Sequence, residues 1–273
     1  MTTQIDPPPY AEGSQMIWRY LRQCCGRWRP QADESAMERA VDLPLDETMA
    51  AEVLHRRYAP ATAAGPGSPR VIAQLGQSLD GRIATATGHS HYVTGAADRA
   101  HLHRLRALSD AVVVGAGTLR ADDPALTVRA VAGLNPTRVV LSDARGVSGD
   151  ERIFRDGEAP AWLMGPVRDL PTGLDRHDRV DVNDPHAVRD ALAEAGFERV
   201  LIEGGARTVS AWLAAGLVDV LYLTIAPVII GAGPTGLELP PIERMDEALR
   251  PRVARFEMGE DITFCLEFSG ATG

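Results

Sequence analysis

Cysteine is scarce in this chain: Cys24 and Cys25 form an adjacent pair and Cys265 stands alone. These three supply neither a disulfide framework nor a zinc-ligand spacing, so no metal site is expected and a reducing cytoplasm is the simplest setting. Positive charge is in short supply as well. A net charge of −9 over 273 residues argues against a nucleic-acid binder that works by broad phosphate neutralisation. That balance still allows an anionic small molecule held by a few local arginines. Long apolar runs are missing: "VLYLTIAPVIIGAG" is broken by Pro227 and is too short to span a bilayer. The opening "MTTQIDPPPY" has neither a basic start nor an apolar stretch behind it, so no signal peptide is expected. The expectation is a soluble, cytoplasmic protein with no nucleic-acid or membrane partner.

What is present is ordinary globular composition, 45% hydrophobic and 24% charged, in a chain long enough for one large or two small domains. Residues 14 to 58 read as helices, because "SQMIWRYLRQCC" and "LDETMAAEVLHRRY" carry apolar residues at three- and four-residue spacing. "APATAAGPGSP" (59 to 69) reads as a linker, which divides the chain into a helical extension over 1–69 and a second domain over 70–273. Beyond it, "RVIAQLGQSL" reads as a strand, and Asp80-Gly81 signals a hairpin into "RIATAT". "DAVVVG", "TRVVLS", "PAWLMG", "DRVDV", "RVLIEG", "DVLYLTIAPVII" and "DITFCLEF" are further strands. Between them lie the helices "GAADRAHLHRLRALS", "DPHAVRDALAEAG" (capped by Asp184, stopped by Gly196) and one starting at Ala206. Strands and helices in this alternation predict an α/β domain with a largely parallel sheet.

Two stretches carry candidate chemistry. In "RVLIEGGARTVSAWL" a strand delivers Glu203 and then Gly204-Gly205 to a helix N-terminus, where backbone N–H groups and the helix dipole suit a phosphate. A tight strand-to-helix turn would use the same glycines. The acid shifts the balance, since the C-terminal end of a strand is where open α/β sheets bind ligands. "DAVVVGAGTLRADDPALTVR" has a similar build, and places Thr118 and Asp122 in the same crevice as Glu203 if the two strands are neighbours. Asp122-Asp123-Pro124 is otherwise simply a turn. On the helix that precedes both, Arg99 and Arg106 share a face and Arg104 points elsewhere, while Arg99 and Arg104 are expected in solvent. His101 and His103 diverge on that helix, which speaks against a metal pair.

Together, "SLDGRIATATGHSHYVTG", "LRALSDAVVVGAGTLRADDPALTVR" and "EGGARTVSAWLAAGLVDVLYLTIAPVIIGAG" resemble the reductase domain of the riboflavin-biosynthesis RibD family, from about residue 70 to the C-terminus. The resemblance implies a dihydrofolate-reductase-like fold, a mixed and mostly parallel sheet with helices on both faces, and a homodimer. It implies NADPH-dependent reduction of 5-amino-6-(5-phosphoribosylamino)uracil to the ribitylamino product, through a ring-opened imine. Carried over by motif, Gly76, Tyr92, Thr118, Asp122, Ser142 and the run Gly205, Ala206, Arg207, Thr208, Val209 and Ser210 would touch the cofactor. Ser90, Arg106, Leu126, Arg129 and Glu203 would touch the substrate. Arg106 and Arg129 suit a sugar phosphate. Asp122 would handle a proton near the anomeric centre or orient the sugar, and Glu203 would face the aminouracil.

Three departures accompany the resemblance. Gln74 stands where the bifunctional bacterial enzymes usually have lysine, and Tyr92 stands where tryptophan is common. The H-x-E and P-C-x-x-C segments of a zinc deaminase are missing from the first 69 residues, so only the reductase step is expected. A pterin or folate-like substrate and a non-catalytic nucleotide-binding protein are the alternatives. Asp143 beside Ser142 disfavours a 2′-phosphate, with Arg145 as a compensating charge.

Overall fold

A computed structural model describes residues 18–19, 21–23, 25, 51–62, 68–90, 93–143, 147–167 and 172–268. Their order is α1 (Ala51–Thr62), β1 (Arg70–Ser78), α2 (Ala96–Leu108), β2 (Ala111–Gly115), α3 (Ala116–Asp122), β3 (Thr137–Leu141), α4 (Arg152–Arg155), β4 (Ala161–Met164) and β5 (Arg176–Asp178). Then come α5 (Pro185–Glu194), β6 (Arg199–Glu203), α6 (Ala206–Ala214), β7 (Val220–Ala226), β8 (Arg252–Met258) and β9 (Asp261–Glu267). The strands form one sheet in the order β5-β4-β3-β2-β6-β1-β7-β9-β8. Those from β5 to β7 are parallel, and β9 runs antiparallel to both β7 and β8. The mixed, mostly parallel sheet expected from the sequence is therefore present.

The central strands are short continuous apolar runs because both faces of the sheet are covered. Successive residues point to opposite faces. Ile72, Val112, Val114, Leu201 and Tyr222 pack with Leu105 and Leu108 of α2, and with Trp18, Leu21, Leu54 and Tyr58 of the N-terminal extension. Val71, Ala73, Val113, Val200 and Ile202 pack on the other face with Val188 and Leu192 of α5 and with Val209 and Trp212 of α6. The result is a three-layer sandwich. α5 begins as its sequence predicts: Asp184 Oδ1 accepts from the His186 N–H at 2.9 Å, and Gly196 closes the helix at φ 84.

Besides the short helices α3 and α4, which the sequence reading does not contain, the structure differs from it in four places. α1 runs on through Pro60 to Thr62, into the expected linker. Its final carbonyls have partners, since Arg70 Nε donates to Pro60 O at 3.2 Å and Arg199 Nε donates to Thr62 O at 3.3 Å. "RIATAT" forms no strand; Arg82 makes a single bridge to Thr235. Asp80 holds the turn elsewhere, accepting from the Ile230 and Gly231 N–H groups at 3.0 and 2.7 Å, and these bonds with Ser78 lower its pKa to about 2. The strand expected over 178–182 lies at Arg176–Asp178, and β8 was not foreseen. Most of "SQMIWRYLRQCC" lies outside the described residues.

Candidate active site

The chain leaves β1, skips one position to β2, moves outward to β5, and returns to place β6 between β2 and β1. That reversal opens a crevice beyond the C-terminal ends of the central strands, the ordinary ligand position in such sheets. Gln74 of β1 is the register partner of Glu203 of β6, and β2 pairs directly with β6. The two glycine-bearing turns singled out in the sequence are thus adjacent.

Glu203 and Arg106 form the polar centre. Arg106 Nε and Nη2 donate to Glu203 Oε1 and Oε2, both at 2.6 Å, and Arg106 Nη1 donates to Thr127 O at 3.0 Å. Both side chains are buried, Glu203 at 4% exposure and Arg106 at 6%. A bidentate pair of this kind fixes both planes and leaves neither charge uncompensated. Arg129 lies alongside, with Nη1 3.4 Å from Thr127 Oγ1. Burial lowers the Arg129 pKa, and the positive charges of Arg106 and Arg152 lower it further, while Glu203 opposes them. Arg129 thus has two guanidinium groups near it, Arg152 and the Glu203-paired Arg106, and a phosphate dianion beside it would be favoured. Arg152 carries no motif in the sequence; its backbone N–H is held by Asp123 Oδ1 at 2.7 Å, which brings it to this cluster.

The turns interlock. Gly204 and Gly205 adopt φ values of 61 and 58, the left-handed region that glycine enters without penalty. A Cβ on Gly205 would sit 2.9 Å from Thr118 Oγ1, and one on Gly115 would sit 3.0 Å from Thr208 Oγ1. Each turn therefore receives the other's threonine in the space its glycine leaves. Within the second turn, Arg207 is exposed and Ala206 and Thr208 are partly so, whereas Val209 faces the core. Ser210 Oγ accepts from the Glu238 N–H at 2.9 Å.

The other expected residues are placed as follows. Ser90 Oγ donates to Asp122 Oδ1 at 3.3 Å, near the surface. Leu126 has φ 53 and is buried. The space a Cβ would take at Gly76 is occupied by Thr94 Cγ2 at 2.7 Å, so glycine there serves packing. Tyr92 and Arg145 lie outside the described residues. Ser142 is buried, and its Oγ has no partner among the described residues. Beside it, at the ends of β3, β4 and β5, opens a cavity of about 310 Å³ lined by Asp143, Pro166, Arg179 and residues 180–183.

Sequence reasoning missed a second polar group. Gln74 Nε2 lies 3.3 Å from both carboxylate oxygens of Asp98, and Thr224 Oγ1 donates to Asp98 Oδ1 at 2.7 Å. Arg104 is buried, at 3% exposure, contrary to its expected place in solvent. His101 and His103 serve packing: His101 Nδ1 bonds the Tyr58 hydroxyl at 2.8 Å, and His103 Nδ1 accepts from the Arg129 N–H at 3.1 Å. Among the described residues, no helix is long and apolar enough to cross a membrane.

Comparison with known proteins matches this arrangement to one family. Residues 69–260 fit the family model described as the RibD C-terminal domain. The chain is 36% identical over 209 residues to the 2,5-diamino-6-ribosylamino-4(3H)-pyrimidinone 5′-phosphate reductase of Methanothermobacter thermautotrophicus, covering 71% of this chain and 95% of that protein. It is 32% identical over 205 residues to the riboflavin biosynthesis protein RibD of Mycobacterium tuberculosis, covering 73% of this chain but only 55% of that protein. Among solved structures, Acinetobacter baumannii RibD superposes with a TM-score of 0.67 at 28% identity, over 80% of this chain and 63% of that one.

Proposed function

Because this chain belongs to the RibD C-terminal domain family, we propose that it reduces a phosphorylated ribosylaminopyrimidine with NADPH in riboflavin biosynthesis. The observation that carries the reading is the cluster at the end of β6, where the Arg106–Glu203 pair stands beside Arg129 and the interlocked glycine turns. When bound, the nicotinamide supplies the hydride delivered to C1′ of the ribosyl group. The protein's share is positioning and charge. Arg129, with Arg152 near it, holds the sugar phosphate, and Arg106 holds Glu203 in place. Glu203 faces the aminopyrimidine, and Ser90 with Asp122 orients the opened sugar or passes it a proton.

The residues fit a dinucleotide. The Ser142 Oγ, which has no partner among the described residues, and the cavity beside it suit the adenosine half, and the turn from Gly205 to Arg207 offers backbone N–H groups to a phosphate. Arg179 supports a 2′-phosphate there, and hence NADPH over NADH, against the opposing charges of Asp143 and Asp181. A cytoplasmic homodimer is part of the proposal.

Two members of the substrate class differ at ring position 2. The sequence resemblance points to 5-amino-6-(5-phosphoribosylamino)uracil, which carries oxygen there. The relative matched over 95% of its length is named for the 2-amino compound. The test is NADPH oxidation by the purified protein with each of the two, and with a dihydropterin in parallel. Turnover of either ribosylaminopyrimidine supports the reading; turnover of the pterin alone, or of none, refutes it.

A further inference from the structure

The group that the site as so far described does not use is Asp98. It sits in the first turn of α2, about two turns before Arg106 on the same helix. Its carboxyl is 3% exposed and is surrounded by neutral donors. From β7, Thr224 donates at 2.7 Å and is itself bonded to Thr263 of β9 at 2.8 Å. From β1, Gln74 presents its amide to both oxygens. Thr94, in the segment before the helix, gives a further side-chain bond, and Asp261 of β9 adds a second negative charge whose own oxygen is held by the Gly95 N–H at 2.7 Å. On α2 itself, Arg99 donates to Thr94 O at 3.2 Å, and His101 bonds the Tyr58 hydroxyl. No cation pairs with Asp98 among the described residues, and the chain contains no lysine to do so.

We propose that Asp98 is a positioning residue of this reductase: it fixes the Gln74 amide that floors the crevice beside Glu203. This rests on the reductase reading above. Both carboxyl oxygens of Asp98 face the Gln74 amide, and Thr224 and Thr94 hold the carboxyl itself, so the Gln74 side chain is fixed at its far end. Burial is the main cause that raises the Asp98 pKa, with Thr224, Thr94 and Gln74 opposing it and Asp261 adding to it. Gln74 stands next to Glu203 across the β1–β6 register, so an amide held in one orientation gives the Arg106–Glu203 pair a fixed polar neighbour.

The test uses D98A, D98N and Q74A in the full chain. D98A leaves the Gln74 amide without its acceptor, and D98N keeps one oxygen acceptor for it. Expected are NADPH affinity within about twofold of wild type in each, kcat lowered about tenfold in D98A with KM little changed, partial rescue in D98N, and no further loss of kcat when D98A is combined with Q74A, because the two side chains act as a unit. Wild-type kcat in D98A overturns the proposal, as does a fully additive loss in the double variant. If D98A does not fold, D98N combined with Q74A decides by the same additivity. If wild type reduces neither ribosylaminopyrimidine, the proposed function falls; the coupling of Asp98 to Gln74 is then read from urea denaturation of the same variants, and additive stability losses overturn the proposal.

Discussion

Arg106 and Glu203 are separated by 97 positions in sequence, yet meet through two parallel hydrogen bonds of 2.6 Å at a buried site. The consequence is that Glu203 cannot be altered without stranding a guanidinium. Glu203→Gln is expected to lower unfolding stability by about 3 kcal/mol, the range for breaking one partner of a buried pair, and to reduce turnover. Urea denaturation beside a kinetic assay checks both, and a variant with native stability but low kcat would place Glu203 in the chemistry alone.

Arg129 is the guanidinium best placed for a phosphate, being only weakly engaged by Thr127. Arg129→Ala is expected to raise KM for the phosphorylated substrate roughly 10- to 100-fold, the equivalent of one lost charge-assisted bond. An unchanged KM would return Arg129 to the role of a solvated side chain.

Gly205 meets two demands at once, a φ of 58 and a clearance that Thr118 occupies. Gly205→Ala is expected to cost about 2 kcal/mol and to weaken NADPH binding. Adding Thr118→Ala relieves the contact but not the backbone, so the double variant should recover only part of the loss. Full recovery would show that the left-handed conformation is not needed.

His103 gives stability a pH dependence of known sign. Burial, then the charges of Arg106 and Arg129, hold its pKa down at about 3. The unfolded chain binds that proton near the ordinary value of about 6.5. The folded state is therefore fully favoured above that value and progressively disfavoured as pH falls toward 3. Thermal unfolding of wild type and His103→Gln from pH 8 to pH 4 should show a difference that changes only below about 6.5; a difference constant across the range would be inconsistent with a neutral buried imidazole.

The strands of the parallel sheet were readable because burial on both faces demands continuous apolar runs, as in "DAVVVG" and "RVLIEG". Glu203 followed by two glycines was readable because the local backbone needs positive φ. Pairings between distant segments were not: nothing near Arg106 announces Glu203, and nothing near Arg152 announces Arg129. Asp98 lies in the first turn of α2, where an acid is ordinary, and only the neighbouring β1 and β7 make it a buried group. β8 escaped notice because an edge strand with its outward side chains in solvent lacks the apolar density of the central ones. α1 runs past its expected end because its last carbonyls are met by Arg70 and by Arg199, the latter 137 positions away in sequence.

Thr118 and Thr208 each occupy a hollow in the opposite turn, so the strand–helix junctions of β2 and β6 act as a mortise and tenon. Neither can shift to admit a bulkier ligand without displacing the other. Broadening what this crevice accepts would therefore take paired substitutions, and single changes at 115, 118, 205 or 208 should damage the fit more readily than redirect it.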